Sequence, residues 1–237
     1  MRERLYFSII IPAHNEEDYI ERTLERLADQ DYPKDRYEVL VIENGSYDRT
    51  FELVQKFESD TIRLFSYPAK GVSAARNRGS EHAQASGDWV LFLDADTLLA
   101  PSFLSSLNSF IVKRKLYDHA AGSMSIQPRS TNVVMQAFFR LGNFCRRFTK
   151  FPYAAFLIRR SILDRIQSDE EQDVGEDVRL FADACHYGRA FFFHTEDVAT
   201  STRNFARGEW MRRSLAWCSL MPLAGRAFHR VGYKVIR

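Results

Sequence analysis

Two aspartates, Asp94 and Asp96, directly follow the apolar run Trp89–Leu93 in the stretch VLFLDADT. Acids after a strand often do no more than open a turn. Alternate carboxylates in a tight turn also supply the hard oxygen ligands that a divalent cation takes alongside the phosphates of its ligand. A diphosphate held there would need such an ion to neutralise it. Two further polar clusters stand in the same relation to an apolar run: His14-Asn15-Glu16 after Tyr6–Ile11, and Glu43-Asn44-Gly45-Ser46 after Val39–Ile42.

These runs have the length of strands, as does Ile62–Phe65, and the segments between them show helical spacing at Ile20/Thr23/Leu24/Leu27, Phe51/Val54/Phe57 and Ala74/Ala75/Ala83. The alternation predicts an α/β fold with a mostly parallel central sheet flanked by helices. Ligands of such sheets bind outside the carboxyl ends of the strands, so the three polar clusters should meet on one rim. Beyond Pro101 the pattern loosens. It predicts a helix near Ser102–Lys115, a strand over Ala120–Ile126, an aromatic and basic stretch from Val133 to Lys150, a strand near Ala154–Ile158, a helix starting at Gly175-Glu176-Asp177 and a strand over Ala190–Val198. The aromatic and basic stretch reads on its own as a core helix with a solvated basic face.

Four blocks, FSIIIPAHNEEDYI, VLVIENGSYDRT, KGVSAARNRGSEHAQASGDWVLFLDADT and GEDVRLFADACHYG, span Phe7 to Gly188. In order and separation they resemble an inverting family 2 glycosyltransferase of the GT-A fold. The resemblance implies one GT-A-like domain over residues 1–205, with a nucleotide-binding half to residue 100 and an acceptor-binding half from 101, and a basic amphipathic extension over 206–237. It implies a nucleotide-sugar site holding Ala13, Asn15, Glu16, Glu43, Asn44, Arg76, Asp94, Ala95, Asp96 and Arg203. Asp96, with Asp94, would ligate Mn²⁺ or Mg²⁺, His194 being a further candidate that the pattern places in mid-strand. Asp177 would be the catalytic base, and the stretch FFRLGNFCRRFTKFPY, from Phe138 to Tyr153, would border the acceptor. Glu43 and Asn44 replace the family's usual aspartate pair, which leaves UDP and GDP both open. Asn15 also suits a helix N-cap, and the acids of Glu176-Asp177 suit a helix first turn.

The net charge of +2 is uneven: Ser201 to Arg237 hold seven Arg and one Lys against Glu209 alone, with Trp210 and Trp217 interleaved. That tail has the pattern of a segment that packs on the body or lies on an anionic membrane surface. No nucleic-acid motif accompanies it, so no nucleic-acid partner is expected. Three cysteines without a CxxC pair favour a reducing cytoplasm, with peripheral attachment to a membrane as an option. The expected activity is transfer of a hexose from a nucleotide-diphosphate sugar to a hydroxyl acceptor on a glycan, lipid-linked sugar or small molecule. Two alternatives are a metal-dependent phosphohydrolase, whose D-x-D-x-T motif would need Thr97 one position later, and a non-catalytic protein that binds sugar nucleotides or a membrane surface.

Overall fold

A computed structural model describes residues 4–68, 71–84, 86–168, 170 and 175–203. The expected extension over 206–237 lies outside the described residues. The strands are β1 (Phe7–Ala13), β2 (Tyr37–Asn44), β3 (Ile62–Tyr67), β4 (Trp89–Leu93), β5 (Thr97–Leu99), β6 (Ala121–Met124), β7 (Gln127–Pro128), β8 (Ala155–Arg159), β9 (Ala190–Phe193) and β10 (Val198–Thr200). Among the described residues seven α-helices are defined: α1 (Ile20–Ala28), α2 (Thr50–Gln55), α3 (Val72–His82), α4 (Phe103–Lys113), α5 (Val133–Thr149), α6 (Arg160–Leu163) and α7 (Glu176–Cys185).

Seven strands form one sheet in the order β3-β2-β1-β4-β8-β6-β9. Only β8 runs against the rest, pairing antiparallel with both β4 and β6. The apolar runs explain the centre of this sheet. Every residue of β2 and β4 is buried, as is all of β1 except Pro12. Alternate β1 side chains serve the two faces. Ile9 and Ile11 join Leu24 and Leu27 of α1 and Leu104 and Leu107 of α4 in one core. Ile10 joins Ala75 of α3 and Leu180, Phe181 and Ala184 of α7 in the other. The small residues of α3 allow its close approach, since a Cβ at Gly79 would collide with the Ile10 side chain.

Chain order reverses at β1, which has β2 on one side and β4 on the other. The polar clusters that follow β1, β2 and β4 therefore share one rim, as the sequence predicted, at the switch point where ligands of open α/β sheets generally bind.

The expected single strand over Ala190–Val198 is instead two strands in two sheets. β9 ends at Phe193, and β10 joins β5 and β7 in a separate three-stranded sheet. The polar turn between them causes the break. Ser125 Oγ accepts from Thr195 N and donates to Thr195 O, both at 2.7 Å, and Asp197 N donates to Thr195 Oγ1. These bonds withdraw the turn's backbone from the ladder. The aromatic and basic stretch forms α5, whose outward face is not only basic: Val133, Val134, Leu141, Phe144 and Phe148 are exposed beside Arg140 and Arg147, while Arg146 is buried.

Candidate active site

Asp94-Ala95-Asp96 is a turn between β4 and β5, closed by Thr97 N donating to Asp94 O at 3.0 Å. Ala95 fixes it to the core: buried, it accepts through its carbonyl from Thr23 Oγ1 of α1 at 2.7 Å. Asp94 N donates to Ala154 O at the start of β8. Held at both sides, the turn separates its two acids. The Asp94 side chain is 46% exposed and that of Asp96 only 7%.

Asp96 is charge-balanced from the end of β10. Arg203 Nε stands 3.1 Å from Asp96 Oδ2, while Arg203 Nη2 lies 2.6 Å from Glu16 Oε1. The guanidinium also covers the Tyr19 ring at 4.5 Å. Burial raises the Glu16 carboxyl above its usual range against the pull of Arg203, and Glu16 Oε2 is buried with no hydrogen-bond partner among the described residues.

Arg76 of α3 organises the opposite side. Its Nη1 is 2.7 Å from Glu176 Oε1 and its Nη2 is 3.8 Å from Asp94 Oδ1, with the guanidinium over the Phe156 ring. Because α3 and α7 pack on the same face of the sheet, these residues meet despite their distance in sequence. Asp177, beside Glu176 in the first turn of α7, accepts from Val178 N at 2.8 Å. Burial raises its carboxyl above the ordinary value, Arg76 opposes the rise and Glu176 adds to it. Asp94 is pushed up to about 7, first by burial against the opposing pull of Arg76, then by Asp96, Asp177 and Glu176.

The ligand-free fold therefore holds Asp94 protonated where an unfolded chain would not. Its contribution to stability is present below the ordinary carboxylate range and is lost as pH rises through about 7. Asp94→Asn should raise the melting temperature of the ligand-free protein above neutrality but not near the ordinary carboxylate pKa. Discounted for exposure, the gain is about 1 kcal/mol, or about 2–4 °C, in thermal melts across pH.

The other predicted residues divide by environment. Asn15 does not cap α1, which starts at Ile20. Its left-handed backbone (φ 56°) lets Oδ1 accept from Tyr47 N at 3.1 Å and N donate to Ser46 Oγ, tying the β1 loop to the β2 loop. Ala13 is buried at the end of β1, paired with Glu43. Glu43 turns inward, with its two oxygens accepting from Ser46 N and Ser66 Oγ. Asn44 Nδ2 donates to Gly71 O at the entry to α3, and Asn44 O contacts His14 Nδ1. His194 is not in mid-strand. It is exposed just past β9, with Nδ1 3.2 Å from Ser125 Oγ, and among the described residues no three His, Cys, Asp or Glu side chains gather as a metal site. Thr97 is fully buried and bonded to Thr200 Oγ1, which removes the hydroxyl that a D-x-D-x-T reading would need.

Tyr153 belongs to the site although the sequence did not mark it. It precedes Ala154, whose φ of 51° is left-handed, at the mouth of β8. Arg146 of α5 lies over its ring at 5.3 Å, and Phe139 packs edge-on against it. Burial and the charges of Asp94, Asp96 and Asp177 raise its phenol, so it stays protonated beside the carboxylates.

Asp94 and Asp96 fit a cation of the Mg²⁺ or Mn²⁺ type. Their donors are all oxygen, one acid opens to the cleft, and a site of two carboxylates leaves positions for phosphate and water. A cleft of about 600 Å³ elsewhere, lined by Arg4, Tyr32 and Asn108, has Asp31 as its single acid and no carboxylate pair.

An open, mostly parallel sheet with carboxylates and arginines on the rim of its switch point is the architecture of the GT-A glycosyltransferases. The model of Glycosyl transferase family 2 matches residues 8–167, and the chain belongs to that family. Among curated relatives, the probable glycosyltransferase YdaM of Bacillus subtilis (strain 168) is 27% identical over 92% of this chain, which spans 55% of YdaM. Glycosyltransferase AglE of Haloferax volcanii is 43% identical over 38% of this chain and 30% of its own length. The chain thus spans about half or less of these relatives. Among solved structures, S. aureus TarS 1-349 matches with a TM-score of 0.69 and 25% identity, covering 83% of this chain and 60% of that one. Mannosyltransferase PcManGT from Pyrobaculum calidifontis, in complex with GDP-Man and Mn²⁺, matches at 0.65 and 25% identity over 84% and 56%.

Proposed function

We propose that the chain is an inverting glycosyltransferase that moves a hexose from a nucleotide-diphosphate sugar to a hydroxyl acceptor. The observation that carries this reading is the position of Arg76, which spans from Glu176, neighbour of Asp177, to Asp94, and so joins a candidate base to the acids at the donor end of the sheet. Asp177 takes the proton of the acceptor hydroxyl as its oxygen bonds to the anomeric carbon. The bond from that carbon to the diphosphate oxygen breaks on the opposite face, and the electron pair leaves with the nucleotide. Arg76 and Arg203 are fixed donors for the charge that accumulates there. Mn²⁺ or Mg²⁺ held by Asp94 and Asp96 would supply Lewis-acid stabilisation of the departing diphosphate. Asn15, Glu16, Glu43 and Asn44 shape the nucleoside end, Glu43 through the loop it bonds.

A UDP or a GDP donor accords with structural neighbours crystallised with UDP-GlcNAc and with GDP-Man and Mn²⁺. The reading includes a reducing, cytoplasmic setting, supported by three cysteines without a CxxC pair. Membrane contact by the basic extension over 206–237 belongs to the same proposal.

Thermal melts with UDP, GDP and their sugar conjugates, with and without Mn²⁺, test it. One nucleotide should raise the melting temperature by about 5–10 °C at saturating concentration, and only with the cation. Incubation with the matching sugar conjugate should then give glycosylated product rather than inorganic phosphate. No response to any nucleotide, or release of phosphate alone, overturns the assignment.

A further inference from the structure

The outer face of α5 is the largest feature that the reaction leaves unused. Its exposed apolar side chains, Val133, Val134, Leu141, Phe144 and Phe148, are 56–77% accessible. At 3.6 residues per turn they fall within about 100° of one another, a continuous stripe along the helix. The two phenylalanines stack edge-on at 5.2 Å. Phe139 and Arg146, buried on the opposite face, hold the helix to the body and to Tyr153. Among the described residues, the stripe is therefore the side turned away from the body.

Charge decides what covers it. From Val133 to Lys150 there are three Arg and one Lys and no acid. Arg140 and Arg147, both exposed, flank one edge of the stripe, and Lys150 follows at the helix end. A second copy of α5 would bring like charge against like. The chain's own residues 204–237, with seven basic side chains against Glu209, would do the same. An apolar stripe with a cationic border, on a helix too short and too polar to cross a bilayer, matches the interface of an anionic membrane. There phenylalanine and leucine enter the acyl boundary and arginine and lysine meet the headgroups.

We propose that α5 is a membrane-docking helix whose outer face lies in the surface of an anionic lipid bilayer. Tyr153 follows the helix closely, so docking brings the acidic pocket to the bilayer surface. The proposal concerns binding alone and needs no turnover, so it stands or falls separately from the transferase reading.

Co-sedimentation of the full chain with vesicles tests it, using phosphatidylcholine alone against phosphatidylcholine with phosphatidylglycerol. Binding is expected only to the anionic vesicles. The double variant Phe144→Ser/Phe148→Ser should lower the partition coefficient on the order of a hundredfold, and Arg140→Gln/Arg147→Gln about thirtyfold. Both should melt at the parental temperature, because all four side chains are exposed. Vesicle binding that both variants retain in full would assign the contact to residues 204–237 and overturn the proposal. So would a parental protein that ignores anionic vesicles, or one that forms a dimer that the phenylalanine variant dissolves.

Discussion

Asp177→Asn should lower kcat by about 10²–10⁴ and leave the affinity for nucleotide and cation unchanged. The substitution keeps the volume and the hydrogen bond from Val178 N but removes the carboxylate proposed to take the acceptor's proton. Glu176 cannot substitute, because its carboxylate is engaged by Arg76 at 2.7 Å and the residue is buried. Stopped-time product assays, with melts or calorimetry for binding, separate the two quantities. A matching fall in affinity would make Asp177 part of the donor site instead. Burial and Glu176 hold the Asp177 carboxyl above its ordinary range. The parental rate should therefore rise with pH through that raised value, and the residual rate of the variant should not.

Arg76→Leu should destabilise the protein by about 3–5 kcal/mol, the usual cost of removing one partner from a buried ion pair. The residue is 5% exposed and is the cation that Glu176, Asp94 and Asp177 share. Without it the buried Glu176 carboxylate loses its counter-charge, and the carboxyls of Asp94 and Asp177 climb further. The sign of the pH dependence follows. Groups raised in the fold stabilise it while protonated, so the variant should recover stability as the solution is acidified. Urea denaturation on both sides of neutrality measures this. Adding Glu176→Gln should restore part of the loss, and a double-mutant cycle gives the coupling. Additive losses would show that the pair is no unit.

Much of this was legible before any coordinates because parallel strands buried on both faces must be apolar throughout. The run at Trp89–Leu93 matches β4 residue for residue, and its end fixes Asp94 and Asp96 on the rim. The meeting of His14-Asn15-Glu16 with Glu43-Asn44 follows from the same rule. Partners chosen by packing were not legible. Arg76 and Glu176 are brought together only because α3 and α7 share a face. Tyr153 lay inside a stretch assigned to the acceptor side, yet nothing local distinguishes it from its aromatic neighbours. The break between β9 and β10 depends on Ser125, far away in sequence. The expected core helix with a solvated basic face was not what α5 became: apolar side chains share its exposed surface with Arg140 and Arg147, and Arg146 is buried against Tyr153 by tertiary packing.

The reversed direction of β8 also shapes how such an enzyme diversifies. A strand that runs against its neighbours starts where they finish, so Ala155 pairs with Leu93 at the very edge where Asp94 and Asp96 begin. In the transferase proposed above, the segment between β7 and β8 is thereby delivered to the reaction centre, while the loops proposed to face the nucleotide come from other strands. New acceptors can be sampled by rewriting α5 and its exit loop, with no disturbance to the grip on the donor.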